Sequence, residues 1–72
     1  MAKRSKPAKT QYNRIKEVLE QQGKSQTWLA EQLDKDFQTV TRYVNNYRQP
    51  TITTLFEIAK ILRVSPRDLL NG

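Results

Sequence analysis

Residues 25–46 read SQTWLAEQLDKDFQTVTRYVNN. The stretch predicts two short helices folded about the polar knot Asp34-Lys35-Asp36. In the first, Leu29, Ala30 and Leu33 face inward behind Ser25, whose hydroxyl suits an N-cap. The second runs from Phe37 to about Asn45 behind an Asp36 cap. On it Val40, Val44 and Tyr47 share one face, with Phe37 near them at the start. About 100° per residue gathers Gln38, Thr41, Arg42 and Asn45 on the opposite face. A solvated helix face is ordinarily rich in Glu and Lys paired four apart, but no acid lies between Phe37 and Glu57. Amides, hydroxyls and a guanidinium are the groups that read base edges, and an acid-free face does not repel phosphate. A merely polar, exposed face fits this composition equally well.

The spacing around the stretch, together with Gln26 opening the first helix, shifts the balance between them. Ala30 stands where two helices meet at a sharp angle, and only a small side chain permits the approach. Ten residues on, Val40 supplies the inward contact of the second helix, while Leu29 and Leu33 supply those of the first. Such spacing is the signature of a helix-turn-helix, whose second helix enters the DNA major groove.

Outward from this pair, apolar residues at Tyr12, Ile15, Val18 and Leu19 make a helical stripe. Gly23 is placed to end it in a left-handed turn. Beyond Pro50-Thr51, Ile52, Leu55, Phe56, Ala59 and Leu62 form the apolar face of a fourth helix. Ser65-Pro66-Arg67-Asp68 is a start signal for a fifth: a serine cap, proline at the first position and an acid three residues after the cap. Leu69 and Leu70 lie within it, either completing the core or projecting one side chain into a dimer contact. The expected fold is all-α, a five-helix bundle with its helix-turn-helix made from helices two and three.

The chain has 72 residues and so room for one domain with a modest core. Of its 13 basic and 7 acidic residues, net +6, the basic Lys3, Arg4, Lys6 and Lys9 fall in the first ten positions with no acid among them. Residues 1–10 therefore read as a flexible basic arm and 11–72 as the folded domain. A basic arm on a nearly balanced body suits a polyanion, or serves simply as a solubilising terminus. There is no cysteine or histidine, no glycine-rich phosphate loop, and no pair of carboxylates beyond the turn. An enzyme is disfavoured, and no metal, cofactor or small-molecule ligand is expected. Asp34 and Asp36 fall far short of the 6–8 oxygens calcium takes, so they read as caps. Neither a membrane span nor a secretory signal is visible, and a cytoplasmic, nucleoid-associated protein is the simplest reading.

Three segments in order, RIKEVLEQQGKSQTWLAEQL, TVTRYVNNYRQP and TLFEIAKILRVSPRDLL, resemble the phage-repressor and Cro-like helix-turn-helix family, also called the xenobiotic-response-element family. The resemblance runs from about Tyr12 to Leu70. It implies a lambda-repressor-like fold and a dimeric transcriptional regulator on palindromic double-stranded DNA, pairing through its C-terminal helices. It further implies that Gln26 holds a DNA phosphate. Phe37, Gln38, Thr41 and Arg42 would meet bases. Thr39, Asn45, Tyr47 and Arg48 would meet the backbone or frame the following loop. Lys35, where the family commonly has an apolar residue, is freed to reach phosphate, and the arm would add salt-dependent affinity. A Cro-like repressor, a restriction-modification controller and an antitoxin-type autorepressor all fit.

The chain departs from the family pattern in places. Asp34 replaces the usual turn glycine, Asn46 replaces another, and Val44 replaces a glutamate that pairs with a helix-one arginine, here Arg14. Phe37 either touches a thymine methyl or packs inward, and inward packing is favoured. Trp28, at a position usually polar, reads as a buried aromatic edge or a partner surface. With Phe37, it keeps open a protein-interaction module that has lost DNA reading.

Overall fold

The computed structural model describes residues 11–71. Four α-helices follow one another: α1 (Ile15–Gln22), α2 (Gln26–Leu33), α3 (Phe37–Val44) and α4 (Ile52–Leu62). Each boundary has a local cause. Gly23, at φ 68°, ends α1 in the left-handed region. The Ser25 hydroxyl accepts the Trp28 N–H and starts α2. Asp36 accepts the Thr39 N–H ahead of α3, and Thr51 accepts the Thr54 N–H ahead of α4.

The all-α class holds, but the fifth helix does not form as an α-helix. Pro66–Leu69 is one turn of 3-10 helix. Its start signal works as read, with the Ser65 N–H donating to the Asp68 carboxylate at 3.1 Å. Leu70 then turns extended and pairs with Asn13 in an isolated antiparallel bridge. The Arg14 N–H donates to Leu69 O and the Asn71 N–H to Tyr12 O, at 2.7 and 2.9 Å. An extended Leu70 serves that bridge and leaves too few residues for i→i−4 bonds to develop.

Ile15, Leu29, Val40, Ile58, Leu62 and Leu69 are essentially sealed from solvent and form the centre of the core. Ala30 and Val40 are both buried, where the expected close approach of α2 and α3 requires them. Leu69 completes the core and Leu70 stands half-exposed.

Several expectations of burial fail. Tyr12 lies ahead of α1 and is exposed. Tyr47 is 56% exposed and Tyr43 takes the inward place, because α3 stops at Val44 and the left-handed Asn46 (φ 63°) throws the chain out of helical phase. In α4 the inward stripe is Leu55, Ile58, Ala59 and Leu62, while Ile52 and Phe56 are 72% and 56% exposed. Ile52 belongs to the first turn, past the rim of the core, and Phe56 sits about 100° round from Leu55.

Candidate nucleic-acid interface

The outer face of α3 begins at Asp36. Its carboxylate accepts both the Thr39 hydroxyl (2.6 Å) and the Thr39 N–H (3.3 Å). The Thr39 hydroxyl bond, with help from the Arg42 charge, holds the Asp36 carboxyl below its ordinary range. From this start the helix brings Phe37, Gln38, Thr41, Arg42, Asn45 and Tyr47 to line one shallow groove. All four expected base-contact residues and two of the expected backbone residues therefore share a surface. None of the six is acidic. Phe37 is 51% exposed and lines the groove, contrary to the inward packing favoured above. It precedes the buried stripe of Val40, Tyr43 and Val44, so the core ends before reaching it.

The remaining candidates are placed differently. Thr39 is half-buried and engaged with Asp36, as part of the cap. Lys35 is exposed in the turn after Asp34, and Arg48 is exposed in the loop after α3. Gln26 opens α2 half-buried, and its Oε1 accepts the Thr41 hydroxyl at 2.8 Å, so the two helices are tied at the edge of the groove. The arm residues Lys3, Arg4, Lys6 and Lys9 lie outside the described residues. Gln11, at the root of the arm, shares a small concavity with Val44 and Asn45 at the end of α3.

The departures from the family pattern also find their places. Asp34 adopts the left-handed conformation at φ 57°, at some steric cost that a glycine would not carry. Val44 is buried, so no carboxylate meets Arg14 there. Trp28 packs part-buried against the core, with the Lys24 ammonium 4.7 Å from its ring centroid.

The helical pattern gave no sign of one buried polar pair. Asn13 and Asn46 are 2% and 6% exposed, and each bonds to the other's backbone or side chain. The Asn13 N–H donates to Asn46 Oδ1 at 2.9 Å, and Asn46 Nδ2 donates to Asn13 O at 3.3 Å. Asn13 Nδ2 also donates to Tyr43 O and to Gln49 Oε1, both at 2.9 Å. This clasp fixes the arm root against the end of α3. The tolerance of Asn for left-handed backbone at position 46 was a local signal, but nothing local pointed to Asn13, 33 positions away.

Residues 15–69 match the helix-turn-helix family model. The chain belongs to the xenobiotic-response-element helix-turn-helix family. This helix-turn-helix protein is also similar to a Bacteroides fragilis protein whose crystal structure carries a provisional DNA-binding assignment. The two are 42% identical, with a TM-score of 0.82 over 83% of this chain and 97% of the other. No curated protein matches it.

Proposed function

We propose that this protein is a sequence-specific double-stranded DNA-binding transcriptional regulator without enzymatic activity, acting as a dimeric repressor on a palindromic operator. The observation that carries the reading is the acid-free groove along α3, lined by Phe37, Gln38, Thr41, Arg42, Asn45 and Tyr47. Laid in the major groove, Arg42 offers a forked donor to guanine, Gln38 a bidentate amide to adenine, and Phe37 an apolar edge to a thymine methyl. Good bidentate contacts of this kind discriminate by ~1–3 kcal/mol each. Asn45 and Tyr47 line that groove, Gln26 is bonded to it through Thr41, and with the exposed Lys35 and Arg48 they suit the DNA backbone. The cations of the arm, rooted at Gln11 beside Asn45, suit flanking phosphates.

Pairing is proposed through the other exposed feature of the domain. Ile52 and Phe56 on α4, with Val64 and Pro66, line an apolar concavity. A two-fold axis there would bring this patch against its copy and present two recognition helices to major grooves roughly 34 Å apart. Occupancy of the site would block polymerase. Such a protein works where DNA is, in the cytoplasm and associated with the nucleoid. Among the described residues no helix is long and apolar enough to cross a membrane.

Selection from random double-stranded DNA at near-physiological salt, with Arg42→Ala alongside, tests the reading. An enriched palindrome that changes in the variant is the expected result. Weak retention of all sequences, equal for both proteins, would overturn it in favour of polyanion binding by the arm.

A further inference from the structure

We propose that Thr41 is a positioning residue: its hydroxyl holds the Gln26 amide with the nitrogen end turned outward, so that the base-reading helix sets the phosphate grip of α2. The proposal rests on the DNA-binding reading above and changes the part given to Thr41 within it. Although Thr41 lines the groove, it is half-buried. Its hydroxyl hydrogen is committed to Gln26 Oε1 at 2.8 Å, across 15 positions of sequence. A hydroxyl has one hydrogen to give, so while this bond stands Thr41 has none for a base.

The effect falls on Gln26. A glutamine amide has an accepting end and a donating end, and only the donating end attracts a phosphate. An unrestrained side chain presents either. With Oε1 occupied by Thr41, Nε2 keeps two hydrogens and has no partner among the described residues. The bond therefore selects the end that suits an anion and removes rotamer freedom before DNA arrives. Because the selecting group sits on α3, the backbone contact at α2 is correct only when the two helices keep their mutual placement.

The test is a double-mutant cycle on the full-length chain, with affinity for the selected duplex measured across a salt series. The variants are Gln26→Ala, Thr41→Val, Thr41→Ser and Gln26→Ala/Thr41→Val. Thr41→Val should weaken binding by about tenfold, the scale of one hydrogen bond to a charged group. It should leave the slope of log affinity against log salt unchanged, because a neutral amide displaces no counterion. The double variant should bind no worse than Gln26→Ala, Thr41→Ser should restore the affinity, and base preference should stay unchanged throughout. A loss merely from loosened packing would add to that of Gln26→Ala, which overturns the proposal. So does a shifted preference at one base pair, which would make Thr41 a reader. The underlying reading fails separately, if the unaltered protein enriches no sequence at all, and takes this proposal with it.

Discussion

Gly23, Asp34, Asn46 and Arg63 all hold left-handed backbone, at φ 68°, 57°, 63° and 59°, although only the first is a glycine. Their side chains decide what a substitution would do. Arg63 ends α4, with its N–H donating to Lys60 O, and its side chain is exposed. Arg63→Gly should therefore relieve strain and raise stability by about 1 kcal/mol, roughly 4–8 °C in melting temperature for a domain of this size. Gly23→Ala should lower it by a similar amount, since the cost lies in φ and not in space: a Cβ there would meet nothing within 4 Å. Paired thermal melts check both signs. Asn46 looks like the same case and is not. Asn46→Gly also frees the backbone, but it orphans the buried Asn13 N–H and removes an acceptor from Gln49 Nε2. A net loss of roughly 1–3 kcal/mol is expected, and a melt above that of the unaltered protein would contradict the role given to the clasp.

At the scale of elements, the α3 cap carries a pH signature. The Asp36 carboxyl lies below its ordinary value in the folded chain, chiefly through the Thr39 hydroxyl. A depressed carboxyl contributes stability that is complete above about pH 4, the unfolded value, and is lost as pH falls through the folded one. Melts of Asp36→Asn across the acid range should accordingly show a shallower fall below about pH 4 than those of the unaltered protein. The same element shows what the sequence could convey. Ser25, Asp36 and Thr51 were legible as caps, or as the break before a helix, because capping acts over three residues. The outward grouping of Gln38, Thr41, Arg42 and Asn45 was legible because it follows from helical period alone. Tyr47 was misjudged because that period was carried past Val44, where the helix stops. The fifth helix was misjudged because the demand for an extended Leu70 comes from Asn13, at the far end of the domain. The Thr41–Gln26 bond joins two helices and has no local sign.

For the whole molecule, charge and apolar surface should separate into two measurable roles. Deleting residues 2–9 removes Lys3, Arg4, Lys6 and Lys9. It should weaken specific and random duplexes alike and flatten the salt dependence, by up to about 0.9 for each phosphate no longer neutralised. Phe56→Glu should act differently. Phe56 is 56% exposed, so the change leaves the core intact. On the pairing proposed above, it should leave thermal stability at low concentration nearly unchanged while shifting sedimentation toward the monomer, and it should reduce operator affinity. A dimer that survives Phe56→Glu would move the two-fold axis elsewhere.

The pairing of Tyr12 with Asn71 and of Asn13 with Leu70 leaves the two ends of the described chain side by side. Topologically the domain is almost a ring. A few linking residues between Asn71 and Gln11 would close it, and the backbone could be reopened at the exposed Lys24 without cutting a helix. Gln11 and Asn71 lie beside the end of α3, so a bulky group attached at either residue would sit next to the proposed DNA interface. Rewiring the circuit moves that obstruction to the α1–α2 turn, and it turns the attachment point of a basic arm from an inherited feature into a variable.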